Sequence, residues 1–196
     1  AILAGTLYPE LELPRVSEDN RGGLALVVRK LAEAGHRRIG LAMRRWVGSW
    51  LFKRHEQWHD TLGELGLDRD EGLMHWLSMS DDRVVSTESV DEFAAWIDHA
   101  RPTAIIGGHY LPMVHLGHLM RADRLRVPQD VSYATIDLHP EVEQVMGVRP
   151  AAAVLPLREM GRKAVEIAAA WHDGTPPPAI TKLPMVWQDG PTVADA

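Results

Sequence analysis

The chain has 196 residues, 45% of them apolar and 24% charged, with a formal net charge of −6 and no cysteine. A chain of this length can bury a sizeable core. Its composition excludes disulfides, thiolate chemistry and Cys-type zinc sites, and no apolar run is long enough to span a bilayer.

The first segment, "AILAGTL", reads as a short buried strand followed by a Pro-containing loop. It lacks the basic region and apolar length of a secretory signal, which with the missing cysteines fits a cytoplasmic protein. In "VSEDNRGGLALVVRKLAEAGHRRIGLAM", Asp19 or Asn20 can cap a helix. Leu24, Val27, Val28, Leu31 and Ala34 then recur at helical spacing, and Gly35 is placed as a left-handed stop before the buried strand "RRIGLAM".

The helix–strand unit repeats along the chain. "VGSWLFKRHEQWHDTLGELGL" predicts a helix ending near Gly66, and "GLMHWLSM" a strand. "STESVDEFAAWIDHA" opens with Ser or Thr and an acidic first turn, the mark of a capped helix. "PTAIIGG" is a short buried strand, and "YLPMVHLGHLMRADRL" a helix with Pro112 tolerable only in its first turn. "VPQDVSYATID" carries a strand, "PLREMGRKAVEIAAAWHDG" a late helix, and "TPPPAITKLPMVWQ" a Pro-rich linker and last strand. Alternating strands and helices predict an α/β fold with a parallel sheet. Ligands in such sheets bind beyond the carboxyl ends of the strands, which points to Arg44–Trp50, Ser78–Asp81, Gly107–Tyr110 and Asp137–His139.

The stretch His55-Glu56-Gln57-Trp58-His59 matches H-E-x-x-H, the spacing of a zinc-hydrolase helix. A catalytic zinc needs a third protein ligand. Gly63 falls four residues after His59 rather than three, and Glu88 and Glu92 sit in no recognisable motif. Leu51, His55, Trp58, Leu62 and Leu65 form one stripe, so His55 is expected along a buried or half-buried face. His115 and His118 read as surface or interface histidines, and Trp58, Trp96 and Trp171 as core. Basic residues are scattered in short pairs such as Arg37-Arg38 and Arg44-Arg45, which argues against nucleic-acid binding by this chain itself. No nucleophile elbow, Walker loop or dinucleotide fingerprint is present.

The strings "VSEDNRGG…KLAEAGHRRIGLA", "KRHEQWHDTLGELGL", "RPTAIIGGHYLPMVHLGHLM", "LRVPQDVSYATID" and "LPLREMGRKAVE" follow in an order and spacing that resembles the effector-binding domain of LacI/GalR-family transcriptional regulators. The resemblance runs from about Val16 to the end. It implies a type I periplasmic-binding-protein-like fold: two α/β subdomains joined by crossing segments, with a small effector in the cleft. Residues 1–34 would close an incomplete first subdomain and 35–137 form the second. Residues 138–178 would cross back with a helix, and 179–196 form the last strand and tail.

By the same resemblance the protein is a homodimer without catalysis, metal or cofactor. It meets no membrane and reaches DNA only through an upstream helix-turn-helix. The effector is expected to be a sugar or sugar derivative. Arg54 would grip it through two parallel hydrogen bonds. Asp137 would accept from its hydroxyls, with Thr135 and Leu138 where the family carries Gly and Asp. His109 and Tyr110 stand where many members carry Asn-Asp. Trp50 and Trp76 would line the cleft, and Leu157 would close over the ligand. The rival readings are a solute-binding protein of a sugar transporter and a zinc hydrolase using His55, Glu56 and His59.

Overall fold

Val16, Leu41, Ile106 and Ala134 are all fully buried, and strands that hide both faces of their side chains in this way belong to sheets covered on each side. The computed structural model describes residues 1–5, 11–44, 49–77, 85–138 and 140–196, without the side chains of 49–52 and 140–142. Strands β1 (Leu3–Ala4) and β2 (Arg15–Glu18) lead into helix α1 (Asn20–Glu33). Strand β3 (Ile39–Arg44), helix α2 (Ser49–Glu64), strand β4 (Met74–Leu77), helix α3 (Thr87–Ala100) and strand β5 (Ala104–Gly107) follow. Next come α4 (Leu111–Arg121), β6 (Ser132–Ile136), α5 (Pro140–Met146) and β7 (Ala151–Val154). The chain closes with α6 (Leu157–His172), β8 (Ile180–Leu183) and β9 (Val186–Gln188).

These strands form two sheets. The first has order β1-β2-β8, all parallel. The second has order β4-β3-β5-β6-β7-β9, parallel except for the β7–β9 pair. The chain crosses between the sheets from β2 to α1, from β7 to α6 and from β8 to β9. Two crossings are joined to each other, since Asp19 N donates to Leu183 O at 2.8 Å.

The predicted apolar stripe of α1 is buried, with Leu24, Val27, Val28 and Leu31 fully covered. It packs on Ile39, Leu41, Met43 and Trp58 of the second sheet and α2. The sequence reading put residues 1–34 with the first subdomain, whereas α1 rests on the second sheet. The opposite face is covered by α3 and α4, where Phe93, Leu116 and Leu119 meet Ala42, Ile105 and Tyr133. Helix α6 packs against β1 and β2.

Helix ends follow the predicted chemistry. Gly35 has φ +96°, Ser86 Oγ accepts from Ser89 N at the start of α3, and Pro112 lies in the first turn of α4. Asp19 holds the N-cap position of α1 but makes no side-chain cap bond. Trp58 is core, but Trp171 is 41% exposed, because only Met160 of α6 is buried. Helix α5 and strands β2, β7 and β8 have no separate counterpart in the sequence reading. Among the described residues no helix is long and apolar enough to cross a membrane.

Candidate functional site

The carboxyl ends of β2, β5 and β6 meet near one guanidinium. Arg54, in α2, is only 7% exposed. Its Nη1 donates to Gly108 O at 2.5 Å and its Nη2 to Asn20 Oδ1 at 2.6 Å. Asn20 Nδ2 in turn donates to Glu18 Oε1 at 2.8 Å. A planar fork reaches two separated acceptors from two nitrogens held in fixed directions, whereas an ammonium donates from a single point. Burial pulls the Arg54 pKa down to about 10, and the charges of Glu18 and Asp137 oppose that shift. The side chain therefore stays charged at neutral pH, at the crossing from the first sheet to the second.

Asp137 follows β6 with φ +72°, a left-handed backbone that Asp tolerates better than most side chains. Its N–H donates to Ala153 O at 2.8 Å, and its Oδ1 accepts from Leu138 N at 2.9 Å. Two residues earlier, the buried Thr135 hydroxyl donates to Gly107 O at 3.1 Å. Asp137 is half-buried, and its charge is felt at Arg54.

His109 and Tyr110 follow Gly108 as half-buried neighbours with ring centroids 4.1 Å apart. Tyr110 holds the N-cap position of α4, without a side-chain cap bond. Trp76 is half-buried, packs against the core, and has its ring 6.3 Å from His55. Leu157 opens α6 with its side chain 65% exposed. Trp50 lies in the first turn of α2, its side chain outside the described residues, as are Arg45–Gly48, Ser78–Asp81 and His139. A cavity of about 850 Å³ opens beside the Arg54 cluster, lined by Ser17, Glu18, Asn20, Lys53, Glu56 and Lys182 among others.

Glu18 and Asn20 were not singled out for this site, because an Asn before an apolar helix reads as a cap. The signal was the run Ser17-Glu18-Asp19-Asn20, four polar residues at a strand's carboxyl end. His59 is occupied elsewhere: Arg69 Nη2 donates to its Nδ1 at 2.7 Å, and Glu71 lies 3.6 Å from its Nε2. His55 is half-buried beside Trp58, as the stripe predicts. Among the described residues no three His, Asp or Glu side chains are grouped to hold a metal ion.

The cavity lies by the carboxyl end of β2, beside crossings between two α/β layers, and ligands of open α/β sheets bind beyond the carboxyl ends of their strands. Residues 28–190 match the periplasmic binding protein-like domain family, and the chain belongs to it. The resemblance to the effector-binding domain of LacI-family regulators is borne out by its relatives. An uncharacterized HTH-type transcriptional regulator in the aml 5′ region of Streptomyces limosus is 32% identical over 139 residues, 69% of this chain and 38% of that protein. The cellobiose complex of the transcriptional regulator CelR superposes with a TM-score of 0.75 at 22% identity, covering 98% of this chain and 58% of that one. A LacI-family transcriptional regulator from Enterococcus faecium with bound ribose gives 0.76 at 16% identity, covering 100% of this chain and 71% of that one. The chain thus spans between about a third and three quarters of the length of these relatives.

Proposed function

We propose that this chain is the effector-binding part of a LacI/GalR-like transcriptional regulator, taking a carbohydrate between its two layers. The observation that carries the reading is the buried Arg54 fork, which spans from α2 to the crossing residue Asn20 and the β5 loop at Gly108. A ligand seated here touches both layers, so its binding biases their relative arrangement. Only unequal affinity for two arrangements can drive such a switch. Asp137 and Glu18 supply acceptors for sugar hydroxyls and Arg54 a donor. His109, Tyr110, Trp50, Trp76 and Leu157 form the remainder of the proposed cleft. The first layer comprises β1, β2, β8 and α6, and the second runs from α1 to β7 with β9.

In this reading the protein is a cytoplasmic homodimer, performs no catalysis, and contacts DNA through a helix-turn-helix on the same polypeptide. Titration calorimetry with cellobiose and ribose, the sugars of the two structural relatives, and with a wider set of neutral sugars tests it. Saturable binding that weakens at least tenfold in Asp137→Asn supports the reading. Absence of binding by every sugar removes the carbohydrate assignment. A solute-binding protein would share the fold, but the relatives described above are regulators.

A further inference from the structure

The crossings between the two layers gather around one side chain. Met185 lies in the β8–β9 crossing and is only 6% exposed. Helix α1 leaves a gap for it at the buried Gly23. A Cβ added to Gly23 would fall 2.2 Å from Met185 Sδ, 3.0 Å from its Cγ and 3.2 Å from its Cε. The thioether therefore fills the volume in which any other residue would carry its side chain. Glycine weakens a helix; what it allows here is this close approach.

The crossing is held on both sides of Met185. Before it, Leu183 O of the first sheet accepts from Asp19 N at 2.8 Å, and Gly23 N donates to Asp19 O at 2.8 Å. The first turn of α1 thus engages the crossing at Leu183 and again at Met185. After it, Val186 of the second sheet pairs with Val154 in the β7–β9 ladder. Val154 leads through Leu155 and Pro156 into α6, which is the β7–α6 crossing. Leu155 packs against the same core cluster as Met185, Leu24 and Val27. Pro184, between the two held points, fixes its own φ and favours extended backbone at Leu183, so the segment that joins them is stiff.

We propose that Met185 is a positioning residue: seated in the gap at Gly23, it locks the β8–β9 crossing onto α1 and so sets the angle between the two layers. The hydrogen bond at Asp19 joins the crossings at one point, about which they can still turn. The seated thioether adds a second point, and two points fix a direction. A change of angle slides the side chain from its seat, and an unbranched chain with three rotatable bonds can follow such a movement. The consequence for a ligand rests on the cleft reading given above, since a ligand between the layers would act against this lock; the lock itself does not.

The chain has no cysteine, so Ala95→Cys in α3 and Ala168→Cys in α6, both at exposed positions, place one spin label on each layer. Double electron–electron resonance on the ligand-free 196-residue chain then reads the distance between layers, and the labelled parent is expected to give one narrow distribution. Met185→Ala empties the seat and is expected to broaden the distribution about twofold, whereas Met185→Leu keeps the volume and leaves it narrow. Gly23→Ala improves the helix but evicts the thioether. It is expected to shift the mean distance, and it carries the test if Met185→Ala does not fold. In the double variant Gly23→Ala/Met185→Ala the new Cβ refills part of the space without joining the layers. Its melting temperature is expected to recover part of the Met185→Ala loss while the distribution stays broad. Leu119→Ala opens a cavity in the core on the far face of the second sheet and reports loss of packing alone. A Met185→Ala width equal to the parent's, an unmoved mean in Gly23→Ala, or the same broadening in Leu119→Ala would overturn the proposal. Failure of sugar binding leaves this distance measurement intact and overturns only the cleft reading.

Discussion

Arg54 and Asn20 are 34 positions apart, yet the arginine Nη2 donates to the asparagine Oδ1 at 2.6 Å. Asn20 is the first residue of α1, at the crossing between sheets, and Arg54 lies in α2. The same guanidinium holds Gly108 O at the end of β5. One side chain thus fixes three segments around the cleft.

This joint role separates an Arg54 substitution from an ordinary binding-site change. Arg54→Ala leaves the half-buried Asn20 and the buried Gly108 carbonyl without their donor, a cost of about 1–3 kcal/mol. Arg54→Lys keeps the charge but loses the fork, so it is expected to fall between wild type and Ala. A double-mutant cycle with Asn20→Ala, read by urea denaturation, is expected to give a coupling of roughly 0.5–3 kcal/mol. Additive losses would mean that the pair does not act as a unit.

Asp137 places two demands on one position. Its φ of +72° is unfavourable for a side chain with a Cβ, and the left-handed region costs about 1–2 kcal/mol for ordinary residues. Asp137→Gly is expected to keep or raise the melting temperature, whereas Asp137→Ala lowers it. Both remove the carboxylate and are expected to weaken ligand binding. Stability and affinity therefore move apart in the glycine variant, which melting curves and calorimetry read separately.

Gly107 of β5 pairs in register with Thr135 of β6, and the Tyr133 side chain crowds it. A Cβ added to Gly107 would lie 2.0 Å from the Tyr133 hydroxyl oxygen and 3.1 Å from Thr135 Oγ1. Tyr133 is fully buried and cannot swing out. Gly107→Ala is expected to cost about 1–3 kcal/mol through overpacking. Adding Tyr133→Phe, which removes the clashing oxygen, is expected to restore part of that. Equal stability of Gly107→Ala and wild type in thermal melts would show that the tyrosine has room to shift.

The legible parts of the fold are those where one physical rule acts alone. Leu24, Val27, Val28 and Leu31 mark α1 because it buries a single stripe. Helix α4 is different: seven of its 11 residues are buried, so periodicity no longer tells inside from outside. That is why His115 reads as a surface or interface histidine in the sequence, although it is fully buried. Strands β2, β7 and β8 span four residues each, too short for alternation to register. The Arg54 and Asp137 pairing came from the resemblance, while Asn20 and Glu18 needed the geometry, because the contact between residues 20 and 54 leaves no local pattern.

The histidines also set how stability responds to acid. Burial drives the His75 pKa down to about 4, with His115 adding repulsion, and burial likewise lowers His36 and His115. In the unfolded chain these rings take up protons near pH 6.5. Below that value the unfolded state binds more protons than the native state, so stability falls as pH drops. The loss from His75 begins near pH 6.5 and is complete below about pH 4. At pH 5 it amounts to roughly 2 kcal/mol, from about 1.4 kcal/mol per pH unit. His75→Phe preserves a flat ring against Trp96, which stacks on His75 at 5.0 Å, and has nothing to titrate. Urea denaturation of the two proteins from pH 8 to pH 4.5 is expected to give curves that diverge below pH 6.5, with the variant the more stable. Parallel curves would place the acid sensitivity in other groups.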